Sequence, residues 1–104
     1  MILAIIGAAA AVATASPTDS RETAMNDYMT CLADHAHKID DHTSDASTIA
    51  TAIELACPSE EARLKDAYSD PADRDARRIF DPQFAAGRHA MAIRAVLFSR
   101  RVSN

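Results

Sequence analysis

The sequence predicts an all-α protein, a small helical bundle built on a disulfide-stapled helical hairpin. Three observations support this prediction. From residue 16 onward, apolar residues recur at intervals of three and four, and no segment alternates polar and apolar side chains over the length of a strand. Prolines and short polar segments separate the periodic segments. Two cysteines, Cys31 and Cys57, fall in the first two of these segments.

The N-terminal segment indicates export. Residues 2–15 contain no charged side chain, and residues 13–15 (Ala-Thr-Ala) fit the small-residue cleavage site that follows the apolar core of a signal peptide. The apolar run is shorter than the roughly 20 residues of a membrane-spanning helix, although no Lys or Arg precedes it. We therefore predict a signal peptide over 1–15, a single helical domain over 16–104, and a periplasmic or secreted location. An uncleaved anchor or a buried alanine-rich helix is the alternative.

The first two predicted helices form the hairpin. The first runs from about residue 20 to residue 39, and its apolar side chains lie along one stripe: Met25, Tyr28, Met29, Leu32, Ala36 and Ile39. The polar segment 40–45 predicts a turn. The second helix is predicted to begin at Ser44 or Asp45, either of which can cap it, and to end at Cys57, inside its apolar stripe.

The two cysteines are predicted to form the disulfide of this hairpin. Antiparallel helices joined by a short turn would bring Cys31 and Cys57 to comparable heights. In an exported protein, two cysteines usually form one disulfide. Free core thiols, or half of a metal site, are the alternatives. Because the sequence has no Cys-x-x-Cys pair, thiol–disulfide exchange chemistry is not expected.

Prolines mark the predicted boundaries of the remaining helices. Asp70-Pro71 and Asp81-Pro82 each match an aspartate N-cap followed by proline at the first helical position. The sequence thus predicts helices near 59–68, 71–80 and 82–101. The last of these has one stripe at coiled-coil spacing: Phe84, Arg88, Met91, Ala95, Phe98 and Val102.

A second apolar pair, Ile93 and Leu97, lies on the opposite side of the last predicted helix. Three arginines border it: Arg94, Arg100 and Arg101. Residues 16–70 contain 12 acidic and 4 basic side chains, whereas residues 71–104 contain 3 acidic and 7 basic ones. We predict an interface here for an unknown protein partner or a second copy, or contact with a membrane surface. The alternative is burial on both sides within the bundle. Nucleic acid is not expected, because no stacking aromatic residues accompany the arginines.

Residues 34–42 hold the chain's only concentration of possible metal ligands. His37 and Asp41 are four apart and could share a helical face, and His42 follows them. Lys38 intrudes between them, and no His-Glu-x-x-His motif is present. A solvated helix end is therefore the expectation, with a metal site through His37, Asp41 and His42 as the alternative.

Two sequence resemblances bear on function. Residues 28–31 (YMTC), 47–50 (STIA) and 52–57 (AIELAC) resemble small uncharacterised secreted helical proteins of bacteria that carry one cysteine pair. Residues 52–66 (AIELACPSEEARLKD) are similar to the segment around the second cysteine of the Hde-type periplasmic acid-stress chaperones. This chain differs from those chaperones in its closer cysteine spacing and in having no tryptophan.

These features favour an exported small helical accessory protein, a protein-binding or assembly module of the periplasm. An acid-stress chaperone, which would expose apolar surface only in acid, and a periplasmic metal-binding protein are the alternatives. We expect neither an enzyme nor a cofactor, because the sequence contains no nucleophile elbow and no glycine-rich phosphate loop.

The export hypothesis predicts a defined N-terminus. Mass spectrometry of the protein produced in a diderm bacterium should find a mature chain that begins at or near Ser16, since the small residues before it fit signal peptidase. Recovery of intact Met1 in a soluble fraction would contradict the hypothesis.

Overall fold

The fold consists of four helices in the part of the chain that our computed structural model describes, residues 17–103. They are α1 (Pro17–Ile39), α2 (Ala46–Ile53), α3 (Pro58–Tyr68) and α4 (Arg74–Ser103). No strand occurs within this range, which confirms the predicted all-α class. The predicted signal peptide and its cleavage site lie outside the described residues. None of these four helices combines the length and the apolar character that a membrane span requires.

Helix α1 packs against each of the other three helices. It does so through one buried stripe at intervals of four, formed by Ala24, Tyr28, Leu32 and Ala36. The other helices add the remaining members of the same apolar core: Ile49, Ala50, Ile53, Cys57, Leu64, Phe84, Ala92, Ala95 and Val96. The molecule therefore has one core, and α1 runs through the middle of it.

Contacts between distant residues give the directions of the helices. Arg21 Nε donates to the Ala67 carbonyl at 3.2 Å, near the start of α1 and the end of α3, so these two helices are antiparallel. The rings of Tyr28 and Phe84 lie 5.9 Å apart, and Arg100 binds Asp40 just beyond the end of α1, so α4 runs parallel to α1. Helix α2 returns along α4 in the opposite direction.

The turn between α1 and α2 is built by aspartates. Asp41 accepts hydrogen bonds from the backbone N–H groups of Thr43 and Ser44, at 3.0 and 2.8 Å. Asp45 caps α2 by accepting from the backbone N–H of Thr48 at 2.8 Å, which confirms one of the two predicted caps. Between them, His42 adopts the left-handed backbone conformation with φ of 61°. Short polar side chains thus reverse the chain without a glycine.

The disulfide joins α1 to the beginning of α3. Cys31 and Cys57 are bonded, with their Cα atoms 6.2 Å apart, as the sequence predicted. The predicted place of Cys57 was wrong, because α2 ends at Ile53 and Cys57 precedes the first residue of α3. A residue before proline is disfavoured in the helical conformation, and Cys57 precedes Pro58. Closing this 26-residue separation contributes about 3.5 kcal/mol on the chain-entropy estimate.

The last two predicted helices, 71–80 and 82–101, form the single helix α4 with Pro82 in its interior. The predicted boundary at Pro82 was therefore wrong. A proline inside a helix removes one hydrogen bond and costs about 3 kcal/mol. Phe80 and Phe84 flank it, their rings 6.1 Å apart, and both pack with the core. Burial of these rings favours a continuous helix, which offsets the cost of the proline.

The start of α4 also differs from the prediction. Pro71 lies in a turn that Asp70 stabilises by accepting from the backbone N–H of Ala72 at 2.9 Å. The helix begins at Arg74, and Asp73 is the capping residue, since its carboxylate accepts from the backbone N–H of Ala76 at 3.1 Å.

Replacing Pro82 should stabilise the protein. Pro82→Ala supplies the missing N–H and removes the clash in the preceding turn, so the free energy of unfolding should rise by about 1–3 kcal/mol. Gly87→Ala provides a benchmark in the same helix. A Cβ at Gly87 would meet open space, and the expected gain is about 0.5–1 kcal/mol. Urea unfolding followed by circular dichroism measures both. A loss of stability in Pro82→Ala alone would mean that α4 needs a proline bend to pack against α1 and α2.

Candidate binding groove between α1 and α4

An open groove of about 500 Å³ lies along the seam between α1 and α4. Its lining residues are Asn26, Met29, Thr30, Arg94, Ala95, Leu97, Phe98 and Arg101. We call it the α1–α4 groove. Its volume falls within the range of small-molecule and cofactor sites, about 300–1,000 Å³. None of its lining residues is acidic.

The groove exists because α2 covers a different side of α4. His89 contacts α2, with Nδ1 at 2.7 Å from Glu54 Oε1 and Nε2 at 2.9 Å from Ser47 Oγ. Ile93, Val96 and Arg100 follow His89 at helical spacing, so they lie on that same side. The face that carries Arg94, Leu97, Phe98 and Arg101 is left without a covering helix among the described residues.

Large apolar side chains reach solvent in this groove. Leu97 is 46% exposed and Phe98 is 50% exposed, whereas Ala95, at the base between α4 and α1, is buried. Met29 contributes from α1 and is half-buried against the core. The groove therefore combines an apolar floor that is continuous with the core and an apolar edge that water reaches.

Two arginines border this apolar surface. Arg94 is exposed and forms no hydrogen bond or ion pair within residues 17–103. The guanidinium of Arg101 lies 5.9 Å from the centre of the Phe98 ring, a cation–π contact that leaves its N–H donors open to a ligand. The groove thus presents positive charge next to exposed apolar side chains, an arrangement suited to an anionic, partly apolar ligand.

Only three of the five residues of the sequence-predicted interface lie in the groove. Leu97, Arg94 and Arg101 line the groove. Ile93 does not, because it is half-buried and packs against the core on the side that α2 covers. Phe98 belongs to the coiled-coil-spaced stripe of the last predicted helix, a pattern typical of a packed face, yet in the structure it is 50% exposed.

Arg100, the fifth of these residues, has a structural role. Its guanidinium binds the carboxylate of Asp40 through two hydrogen bonds of 2.7 and 2.9 Å and donates to the Ser44 carbonyl at 2.6 Å. The side chain of Asp40 is 1% exposed. These hydrogen bonds from Arg100 lower the pKa of Asp40 to about 2. The pair therefore fastens the α1–α2 turn to α4.

A second charged cluster closes the other end of the core. Arg88 binds both carboxylate oxygens of Glu61, at 3.0 and 2.8 Å, and Lys65 lies 3.4 Å from the same carboxylate. Burial alone would raise the pKa of Glu61, but the hydrogen bonds and charges of Arg88 and Lys65 outweigh it and lower the pKa. Both cations also lie over the Phe84 ring, within 5.5 Å of its centre. The cluster joins α3 to α4.

The alternative metal ligands His37, Asp41 and His42 do not come together as a group in the described part of the chain. Helix α1 ends at Ile39, so His37 and Asp41 do not share the helical face that their spacing suggested. The Asp41 carboxylate accepts hydrogen bonds within the turn, which hold its pKa well below the usual range. His42 lies 4.0 Å from Asp40.

A different set of potential ligands converges at the disulfide. Cys31, His35 and Cys57 bring their two sulfurs and an imidazole nitrogen within 4.8 Å of one another. Proximity in the sequence groups the histidines with the neighbouring aspartates and not with the cysteines. The four-residue spacing of Cys31 and His35 along one helix was the signal that could have revealed this group.

Comparison with protein-family models, curated proteins and solved structures finds no match to this chain. The resemblances to small secreted helical proteins and to acid-stress chaperones therefore stay predictions.

Two single substitutions test whether the groove face is free. Leu97→Gln should lower the free energy of unfolding by less than about 0.5 kcal/mol, because the side chain already reaches water. Ile93→Asn should lower it by about 1–3 kcal/mol, because it places an amide against the core. Chemical denaturation of both variants gives the comparison. Equal and large losses would show that both faces of α4 are packed in solution.

Proposed function

We propose that this chain is an exported accessory protein that binds an acidic amphipathic helix of a partner protein in the α1–α4 groove. The observation that carries the proposal is the exposure of Leu97 and Phe98 beside two arginines that no acidic residue of the described chain neutralises. The disulfide and the sequence-predicted signal peptide support the exported setting.

The shape of the groove favours a helix as its occupant. The groove follows the seam of two parallel helices, and its α4 edge places Arg94, Phe98 and Arg101 at steps of four and three. A third helix can lay apolar side chains at the same steps into such a seam. Its acidic residues would then lie next to Arg94 and Arg101, where charge complementarity fixes the register.

The positive charge of the groove disfavours a second copy of this chain, and its small number of basic residues disfavours a membrane surface. A second copy that paired through the same face would bring its own Arg94 and Arg101 into this basic groove, which disfavours a symmetric dimer. Membrane surfaces are typically bound by clusters of about four to eight basic residues. The groove offers two. An acidic protein segment satisfies both the charge and the concave shape.

An acid-gated chaperone is less well supported than a constitutive binding module. A carboxylate with a lowered pKa stabilises the fold above its unfolded-state pKa of about 3.8, and that contribution is lost as the pH falls through the folded value. For Asp40 the folded value is about 2. The Asp40–Arg100 pair therefore persists through mild acid, so titration of Asp40 does not open the fold there.

Site-specific photo-crosslinking tests the proposal. The full chain is produced in its native organism with p-benzoylphenylalanine in place of Leu97, or in place of Leu55 as the control. Leu55 is 70% exposed but lies outside the groove. We expect an adduct with a protein at position 97 and not at position 55, with the crosslinked peptide of the partner acidic and helical.

Reversing the charges of the two groove arginines tests whether the crosslinked adduct depends on them. Arg94→Glu with Arg101→Glu should reduce the adduct at least tenfold, because the acidic partner is then repelled. Arg74→Glu with Arg78→Glu changes the charge equally at exposed positions of α4 outside the groove and should leave the adduct unchanged. Adducts only with lipid or with a second copy, no adduct, or an adduct insensitive to the reversal in the groove would overturn the proposal.

A further inference from the structure

Three side chains with metal-binding chemistry meet where α1 and α3 are joined. Cys31 and His35 lie one turn apart on α1, and Cys57 comes from the residue that precedes α3. Their two sulfurs and one imidazole nitrogen all lie within 4.8 Å of one another. We call this group the Cys–His–Cys cluster. It is separate from the α1–α4 groove.

The ligand atoms of the cluster lie within reach of a single zinc ion once the sulfur–sulfur bond, 2.09 Å long in this structure, is broken and the sulfurs separate. Tetrahedral zinc, with bonds of about 2.3 Å to sulfur and 2.0–2.1 Å to nitrogen, places its ligand atoms roughly 3.5–3.8 Å apart. The Cα atoms of the cysteines are 6.2 Å apart, so rotation of the side chains adjusts the sulfurs without moving either helix far. The bond between the sulfurs must first be reduced, because zinc binds thiolates.

The surroundings of the cluster allow both reduction and a fourth ligand. An open cavity of about 360 Å³ is lined by Cys31 and His35, with the carboxylates of Asp34 and Glu60 on the same cavity. Cys31 is partly exposed there, whereas Cys57 is 2% exposed. A reductant that enters this cavity therefore meets Cys31 before Cys57. The Cys57 thiolate that leaves lies at the N-terminus of α3, where backbone N–H groups favour negative charge.

We propose that reduction of the Cys31–Cys57 disulfide converts this cluster into a Zn²⁺ site with Cys31, Cys57 and His35 as ligands. A phosphine or dithiol reductant supplies two electrons to the sulfur–sulfur bond, and each sulfur takes up one proton. With a phosphine, water provides the oxygen of the phosphine oxide. Zinc then replaces the two thiol protons, which are released to solvent. Water or a carboxylate on the cavity fills the fourth position.

The two states of the cluster hold the same helices together. In the oxidised chain the disulfide joins α1 to α3, and in the reduced chain the metal would join them through the same two residues. The Zn²⁺ site therefore preserves the connection where an oxidant is absent. This inference does not depend on the proposed partner of the groove.

Zinc titration of the reduced full chain tests the inference. The protein is reduced with tris(2-carboxyethyl)phosphine and titrated with Zn²⁺ alone, in competition with a chromogenic chelator. We expect one Zn²⁺ per chain in the reduced protein and no stoichiometric binding in the oxidised protein. Replacing Zn²⁺ with Co²⁺ should give the visible absorption of a tetrahedral site with thiolate ligands.

Histidine variants separate the cluster from nonspecific binding. His35→Ala should weaken zinc binding by the reduced chain at least tenfold. His42→Ala removes an exposed histidine in the α1–α2 turn, outside the cluster, and should leave the affinity unchanged. Circular dichroism of the reduced wild-type chain should show a higher melting temperature with Zn²⁺ than without it.

Each contrary result overturns the inference. Equal affinity in His35→Ala and wild type would remove the histidine from the site. Binding that is the same before and after reduction would place the metal elsewhere. A reduced chain that loses its helical signal and does not regain it on addition of Zn²⁺ would show that the cluster cannot form.

Discussion

Burial of the apolar stripe of α1 is the constraint on which the rest of the structure depends. Tyr28 and Leu32 are completely buried, and each other helix packs against α1. Helix α3 starts beside Cys31 and runs antiparallel to α1, toward the beginning of α1. Helix α4 lies beside the second half of α1. The two short helices, α2 and α3, cannot surround the two long ones completely, so one seam of the α1–α4 pair stays open. The α1–α4 groove is therefore a consequence of how the other helices pack against α1.

Those features of the fold that depend on local pattern could be predicted from the sequence. The stripe of α1, the Asp45 cap and the polar turn follow from spacing and side-chain chemistry within a few residues. The interior position of Pro82 could not be predicted, because it depends on rings brought together by tertiary packing. A local rule for helix initiation failed where burial of Phe84 outweighed it. The disulfide was predicted correctly, although one of its helices ended earlier than expected.

The candidate site could also be predicted only in part, because a local sequence pattern does not give the tertiary contacts. An apolar pair among arginines identified Leu97, Arg94 and Arg101, but the pattern could not decide which apolar face of α4 the hairpin covers. That choice depends on contacts across the fold, such as Arg100 with Asp40, 60 residues away in sequence. Once this pair fixes α2 on the Ile93 side, Phe98 is left exposed. Long-range ion pairing thus determines which part of an amphipathic helix is available for binding.

The α1–α4 groove and the Cys–His–Cys cluster both use side chains of α1. Met29 and Asn26 border the groove, Cys31 and His35 belong to the cluster, and Thr30 lines both cavities. Energetic communication between two sites requires an element with two arrangements that both sites influence. Helix α1 offers no second arrangement, because rotation would expose its buried stripe. An exchange of disulfide for metal should therefore leave the groove intact. If the two cysteines are instead reduced and bind no metal, the loop-closure contribution to stability is lost, and the groove and the core are destabilised together.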